Sequence, residues 1–288
     1  MIKKIWNLTV ASILALLPDY AVVNLQYFRI FRRFPNLRAP QKLTEKLIWR
    51  KLYQRDPRFT VFSDKVMVKQ QIAKIAGPTC IIETMWSGQD PAHIPFGHLE
   101  PPYVIKVNHA CGGHIFIHQR KDIDRGAIIK VLRKQLGSSF ARRYREWGYV
   151  NIPRQVLVER MLKMPDGGMP EDCKFFVYHG RVHFIEVTLN RFTREELHYY
   201  DRDWNLLPVE LAWASRISPA VPKPEALSAM MDIAEKIGEQ FDFVRVDLYS
   251  VAGVIMFGEV AFYPGAGMVK FEPRAWDTIF GAPWRIAA

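Results

Sequence analysis

The second half of the chain is built from short apolar runs broken by glycine. Residues 173–179 and 181–188 are separated only by the turn at His179-Gly180. Residues 243–249 and 254–260 repeat the arrangement about Gly253. Runs of this length rich in Val, Phe, Ile and Tyr are strands, and two joined by a glycine turn form an antiparallel hairpin. Earlier, residues 103–107 and 115–118 flank Asn108-His-Ala-Cys-Gly-Gly-His in the same way, and residues 155–162 read as a further strand. Helical spacing appears at Leu43, Leu47, Ile48 and Leu52, around residues 65–76, after His118, and over residues 225–241. In the last of these Leu227, Met230, Met231, Ala234, Ile237 and Phe241 share a side. Strands pair with sequence neighbours and helices interrupt them without regular βαβ alternation, so the expected class is α+β.

The 288 residues suffice for about two domains. A hydrophobic fraction of 49% and charged fraction of 24% exclude a disordered chain, a collagen-like fibre and a polytopic membrane protein. Cys80, Cys111 and Cys173 form no CxxC pair, which argues against a structural zinc site and fits a reducing, cytoplasmic setting. The charge is uneven. Residues 1–75 hold 15 Lys and Arg against Asp19, Glu45, Asp56 and Asp64, and so carry the whole net charge of +11. That split points to an anionic partner, a phospholipid surface or an acidic polysaccharide, or else to a solvated face. No nucleic-acid motif accompanies it. An apolar stretch from Ile5 to Leu17 follows Lys3-Lys4. It is too short to span a bilayer, lacks a convincing cleavage site, and leads into a segment containing Arg29, Arg32 and Arg33. The two together resemble basic amphipathic helices that lie on a membrane or pack on the body.

Several residues carry chemistry. In Val244-Arg245-Val246-Asp247-Leu248, alternation puts the valines and Leu248 on one face and Arg245 with Asp247 on the other. Strict alternation in the next strand gives Glu259 the face of Ile255 and Phe257, so a suitable turn or bulge is needed to bring it to Asp247. Two such carboxylates are either a seat for Mg²⁺ or one side of an arginine salt bridge. Lys106 leads into Gly112-Gly113, where backbone N–H groups can approach a phosphate. The pattern is neither a P-loop nor a dinucleotide fingerprint. His109 and His114 lack a clear third metal ligand. Lys65 opens a helix and Lys174 sits between apolar residues, where a lysine needs an anion.

In order, the chain shows Asp64-Lys65, Ile105-Lys106-Val107-Asn108-His109 with Gly112-Gly113, Val158-Glu159, Lys174-Phe175-Phe176, and Tyr200-Asp201-Arg202-Asp203-Trp204-Asn205. Arg245-Val246-Asp247-Leu248-Tyr249, Gly258-Glu259 and Phe262-Tyr263-Pro264-Gly265-Ala266-Gly267 complete the series. Over residues 18–285 this resembles the TupA-like ATP-grasp family, associated with teichuronopeptide and other surface-polysaccharide synthesis. The resemblance implies two α+β lobes whose antiparallel sheets hold ATP between them. It divides the chain into a basic helical segment (1–60), the first part of the core (61–102), a lid with a Gly-rich flap (103–165) and a catalytic part (166–288). It implies that Lys65, Lys106 and Lys174 contact phosphates and that residues 108–113, with Asn108, His109, Gly112 and Gly113, form a flap. It further implies that Glu159 sits at the adenine–ribose hinge, that Asp247 and Glu259 hold Mg²⁺, and that Arg245 stabilises an acyl phosphate. Many ATP-grasp ligases carry Glu-x-Asn as the last metal motif; here that position is Ala261.

The activity so implied is ATP-dependent joining of an amino acid or amine to a carboxylate, such as a uronic acid, of a surface polysaccharide or its precursor. The expected location is cytoplasmic, with peripheral contact at the inner face of the membrane. Two alternatives stand beside it: phosphoryl transfer to a sugar, and a non-catalytic glycan- or membrane-associated accessory role.

Overall fold

The computed structural model describes residues 17–189, 195–211 and 220–286. The apolar stretch before Leu17 lies outside the described residues. Four helices open the fold: α1 (Asp19–Phe31), α2 (Leu43–Tyr53), α3 (Arg58–Ser63) and α4 (Met67–Ala76). Next comes a four-stranded antiparallel sheet of β1 (Thr84–Gly88), β2 (Tyr103–Val107), β3 (Ile115–Ile117) and β4 (Val156–Arg160), in the order β1-β4-β2-β3. Between β3 and β4 lie α5 (Arg125–Gly137) and α6 (Phe140–Tyr144). Ile128 and Leu132 of α5 pack with Tyr103, Ile105, Val107, Val156 and Val158 to form this lid's core.

The larger sheet is antiparallel, of order β10-β9-β5-β6-β7, from β5 (Asp172–Tyr178), β6 (Arg181–Leu189), β7 (Glu196–Asp201), β9 (Phe243–Val251) and β10 (Val254–Ala261). A short pair, β8 (Glu210–Leu211) with β11 (Phe271–Glu272), lies beside it, with α7 (Leu227–Gly238) and α8 (Ala275–Gly281). Every residue of β5 is buried, because both faces are covered. One face meets α7 and α4 through Cys173, Phe175, Val177, Ile72, Leu227, Met230 and Ile237. The other meets α2 and α8 through Phe176, Tyr178, Leu43, Leu47 and Phe280.

α2 is therefore part of the core, and its cations are internal. Lys46, Arg50 and Lys51 are buried. The Arg50 guanidinium donates to the carbonyls of Phe243 (2.8 Å) and Phe262 (3.2 Å) and pairs with Asp242 at 2.5 Å. Buried cations need such partners. Three of the basic side chains in the first 75 residues thus hold the fold together and face no solvent.

The Tyr200–Asn205 stretch is a turn. The Asp201 carboxylate accepts from the Asp203 and Asn205 amides at 2.9 and 2.8 Å, and Trp204 stacks on Tyr200 with centroids 4.3 Å apart.

Candidate active site

The site begins with a bulge. β9 and β10 pair in register from Val254↔Val251 to Phe257↔Leu248, and the register then shifts so that Glu259 lies opposite Asp247. The residue skipped is Gly258, and a Cβ there would lie 3.0 Å from the Asp247 carbonyl and 2.8 Å from the Tyr249 ring. Only glycine fits that approach. The bulge reverses the alternation: Phe257 points into the core, whereas Glu259 emerges on the face of Asp247.

A polar row crosses this sheet. The register places Glu259 opposite Asp247, Asp247 opposite Lys174, Lys174 opposite Glu186, and Glu186 opposite Tyr199. Arg245 bridges its acidic end. Its Nε and Nη2 donate to the two Asp247 oxygens at 2.7 and 2.6 Å, and Nη2 also reaches Glu259 Oε1 at 3.0 Å. Lys174 Nζ lies 2.5 Å from Glu186 Oε1, 2.5 Å from Thr188 Oγ1 and 3.8 Å from Asp172. Tyr199 donates its hydroxyl to Glu186 at 2.7 Å. The anion that Lys174 requires is thus Glu186.

Burial and charge oppose each other along the row. Burial resists ionisation of Glu186, but Lys174 and Arg245 outweigh it and hold the carboxyl below its usual range. Burial likewise opposes the charge of Arg245, which Asp247 and Glu259 more than restore. Asp247 goes the other way. Burial raises it above the ordinary carboxylate range against Arg245, and the carboxylates of Asp172 and Glu259 add to the rise. A carboxyl raised in this way would be relieved by a further cation.

The lid supplies the opposing wall. Glu159 of β4 is buried and accepts from Lys106 of β2 and from Lys69 of α4, the latter at 2.6 Å. The two lysines outweigh burial and hold Glu159 below its usual range. Lys69 also donates to the Ile82 carbonyl and Thr84 hydroxyl at 2.7 and 2.6 Å. Lys65 spans the gap, 3.8 Å from Glu259. A narrow pocket lined by Lys65, Lys69, Lys106, Glu159 and Glu259 joins the walls. Beside it opens a cleft of about 520 Å³, lined by Val104, Phe116, Met161, Leu162, Met169 and Leu189, with Lys106, Glu159, Asp172 and Tyr249. Its size and its mostly apolar lining with a few charged groups are those of a nucleotide-sized ligand site. A smaller cavity of about 150 Å³ lies by Arg245 and Lys174, lined also by Glu186, Tyr199, Leu43, Leu47, Leu197, Leu211 and Phe271.

The structure therefore brings Lys65, Lys106, Glu159 and Glu259 to the narrow pocket, which adjoins the cleft through Lys106 and Glu159, and Lys174 and Arg245 to the smaller cavity. Asp247 is buried beneath Arg245 and lines none of the three. The structure does not bring the flap residues there. Asn108 is buried and staples the end of β2: its side chain donates to Asp64 (2.9 Å) and the Pro153 carbonyl (2.8 Å) and accepts from the Gln155 amide (2.8 Å). His109 is also buried. Gly112 and Gly113 are exposed with φ near +70°, and none of the four lines the cleft. Glu159 is neutralised by two lysines, on the same strand as the cleft-lining Arg160 and just before Met161 and Leu162. Sequence spacing did not single out Lys69, Asp172, Glu186 or Tyr199. Glu186 left one trace, a lone carboxylate inside an apolar run.

Asp247 and Glu259 suit Mg²⁺ by their chemistry. They are hard oxygen donors on directly paired residues, one of them raised by burial and like charge, and Mg²⁺ commonly completes its shell with water and phosphate oxygens. Among the described residues no group of three or more His, Cys, Asp or Glu forms a metal cluster. Ala261 lies opposite Arg245 and contributes no donor.

Comparison with solved structures finds similarity to the L-amino acid ligase of Bacillus licheniformis, at 14% identity over 87% of this chain and 56% of that one, with a TM-score of 0.49. The D-alanine–D-alanine ligase of Helicobacter pylori is similar at 12% identity over 78% and 62%, TM-score 0.45. That of Bacillus anthracis is similar at 15% over 70% and 57%, TM-score 0.41. The chain spans less than two thirds of the length of each. No match was found among curated proteins. A family model described as TupA-like ATPgrasp matches residues 45–285. With that match over most of its length, and two antiparallel sheets facing each other across a charged cleft, the chain belongs to the TupA-like ATP-grasp family.

Proposed function

We propose that the protein is an ATP-dependent carboxylate–amine ligase, acting on a carboxylate such as a uronic acid of a surface polysaccharide or its precursor. The carrying observation is Arg245, which is held by Asp247 and Glu259 and lines the smaller cavity together with Lys174. An amine does not attack a carboxylate at neutral pH, because the carboxylate has no leaving group. Transfer of the ATP γ-phosphoryl to the carboxylate oxygen makes an acyl phosphate. Attack of the amine nitrogen on the acyl carbon then expels phosphate, and the nitrogen loses a proton.

In this reading the cleft beside Met161, Leu162 and Met169 takes the base, and Lys65 and Lys106 take the phosphates. Asp247 and Glu259 would hold Mg²⁺, which when bound neutralises phosphate charge. The guanidinium of Arg245 is fixed in direction by its carboxylates and can meet charge developing on the transferred group. The cavity by Lys174, Glu186 and Tyr199 takes the acceptor end. Leu43 and Leu47 of α2 give it one apolar wall, which would limit water beside the activated carboxyl.

The test is a product screen with ATP, Mg²⁺, a uronic acid oligomer and a panel of amino acids. The reading expects ADP, free phosphate and a new amide in equal amounts. ADP with a phosphorylated sugar and no free phosphate would replace it with phosphoryl transfer.

A further inference from the structure

One face of α1 is built for contact with something outside the chain. Val22, Val23, Asn24 and Tyr27 turn inward, and Val23 and Tyr27 pack on Ile48. Leu25 (49%) and Phe28 (40%) are exposed away from that side, and Tyr20 (58%) is exposed at the start of the helix. Phe34, just past the helix, is 60% exposed and stacks on Phe28 with centroids 5.0 Å apart. The pair is thus an ordered aromatic prominence. Arg29, Arg32 and Arg38 are exposed beside it. Arg33, by contrast, is tied to Glu45 at 2.6 Å.

We infer that this face docks on an anionic lipid surface. Rings and a leucine beside arginines at and just after the end of a helix are the composition that enters the headgroup–acyl boundary, while the arginines hold the phosphates. Charge complementarity selects this occupant. A second copy would set the same arginines against each other. A glycan chain would be expected in a concave site, and Leu25, Phe28 and Phe34 line neither the cleft nor the two smaller pockets described above. Sequence continuity points the same way, since Lys3, Lys4 and the apolar residues 5–17 lead directly into this helix. An anionic bilayer strengthens binding about fivefold for each basic side chain at its surface.

Co-sedimentation of the full chain with phosphatidylcholine vesicles, with and without phosphatidylglycerol, tests this. Binding is expected only with phosphatidylglycerol, and it should weaken as salt is raised. Phe28→Ser with Phe34→Ser, and separately Arg29→Glu with Arg32→Glu, should each lower binding about tenfold or more while leaving ATP–Mg²⁺ binding unchanged. Equal binding to uncharged vesicles would overturn the inference, as would wild-type binding by both variants. So would a dimer abolished by Phe28→Ser with Phe34→Ser, or capture of polyglucuronate in place of vesicles. Vesicle binding without ATP binding would overturn only the ligase reading.

Discussion

The two walls of the cleft use the same device with opposite sign. On the wall made by the four-stranded sheet and α4, one carboxylate, Glu159, is shared by Lys69 and Lys106, so the wall has cationic charge to spare. On the large sheet, Asp172, Glu186, Asp247 and Glu259 face Lys174 and Arg245 on the sheet itself and Lys65 across the gap, so that wall is anionic. A triphosphate needs the first and a divalent cation the second, and a nucleotide–metal complex between them satisfies both. The buried pairs thus set the local charge of each wall, which a count of salt bridges would not reveal.

The comparison can be broken at each wall. Glu159→Ala leaves two lysines side by side in the first wall and should destabilise the protein by about 3–5 kcal/mol, the cost of breaking a buried pair, measured by denaturant unfolding. Arg245→Lys keeps the charge but cannot grip Asp247 with two nitrogens and reach Glu259 as well. Ligase turnover, the proposed activity, should fall about 10²–10³-fold with the melting temperature little changed. Asn108→Ala removes three hydrogen bonds inside the lid and should cost about 2–3 kcal/mol of stability, with ATP affinity affected much less. A larger effect on affinity than on stability would return Asn108 to the nucleotide.

A pair outside both walls sharpens the contrast. Lys51 lies 3.5 Å from Glu146, but it also donates to the carbonyls of Tyr144 and Ala266, and here burial wins. It pushes Glu146 up to about 7. A carboxyl raised on folding contributes stability below its unfolded pKa, and that contribution is lost as pH rises through the folded value. Stability should therefore fall by about 1–2 kcal/mol between pH 5 and 8, and Glu146→Gln should flatten that slope.

Strands β2 to β6, β9 and β10 and the helix of residues 227–238 were legible because each has a clear period or a turn residue at its end; β7, β8 and β11 carry no such signal. The pairing of Asp247 with Glu259 was legible only as a condition, since the alternation alone puts Glu259 with Phe257. Gly258 supplies the bulge, and a glycine in a strand does not announce its register. Glu186 and Tyr199 were hidden because cross-strand neighbours lie 13 residues apart in sequence and meet only once the sheet is assembled. Asn108 has a structural task that its place in the sequence did not show. A polar residue beside a Gly-rich turn looks like a ligand contact, yet this one serves the backbone of Gln155 and Pro153.

The most direct test of the two-wall account is a calorimetric titration of ATP with Mg²⁺ into the wild type and Asp247→Asn, each checked for folding. The account predicts saturable binding by the wild type, strengthened by Mg²⁺, and a loss of about tenfold or more in the variant. Binding equal in both proteins would contradict the metal seat. Absence of binding at millimolar ATP–Mg²⁺ in the folded wild type would contradict the nucleotide cleft itself.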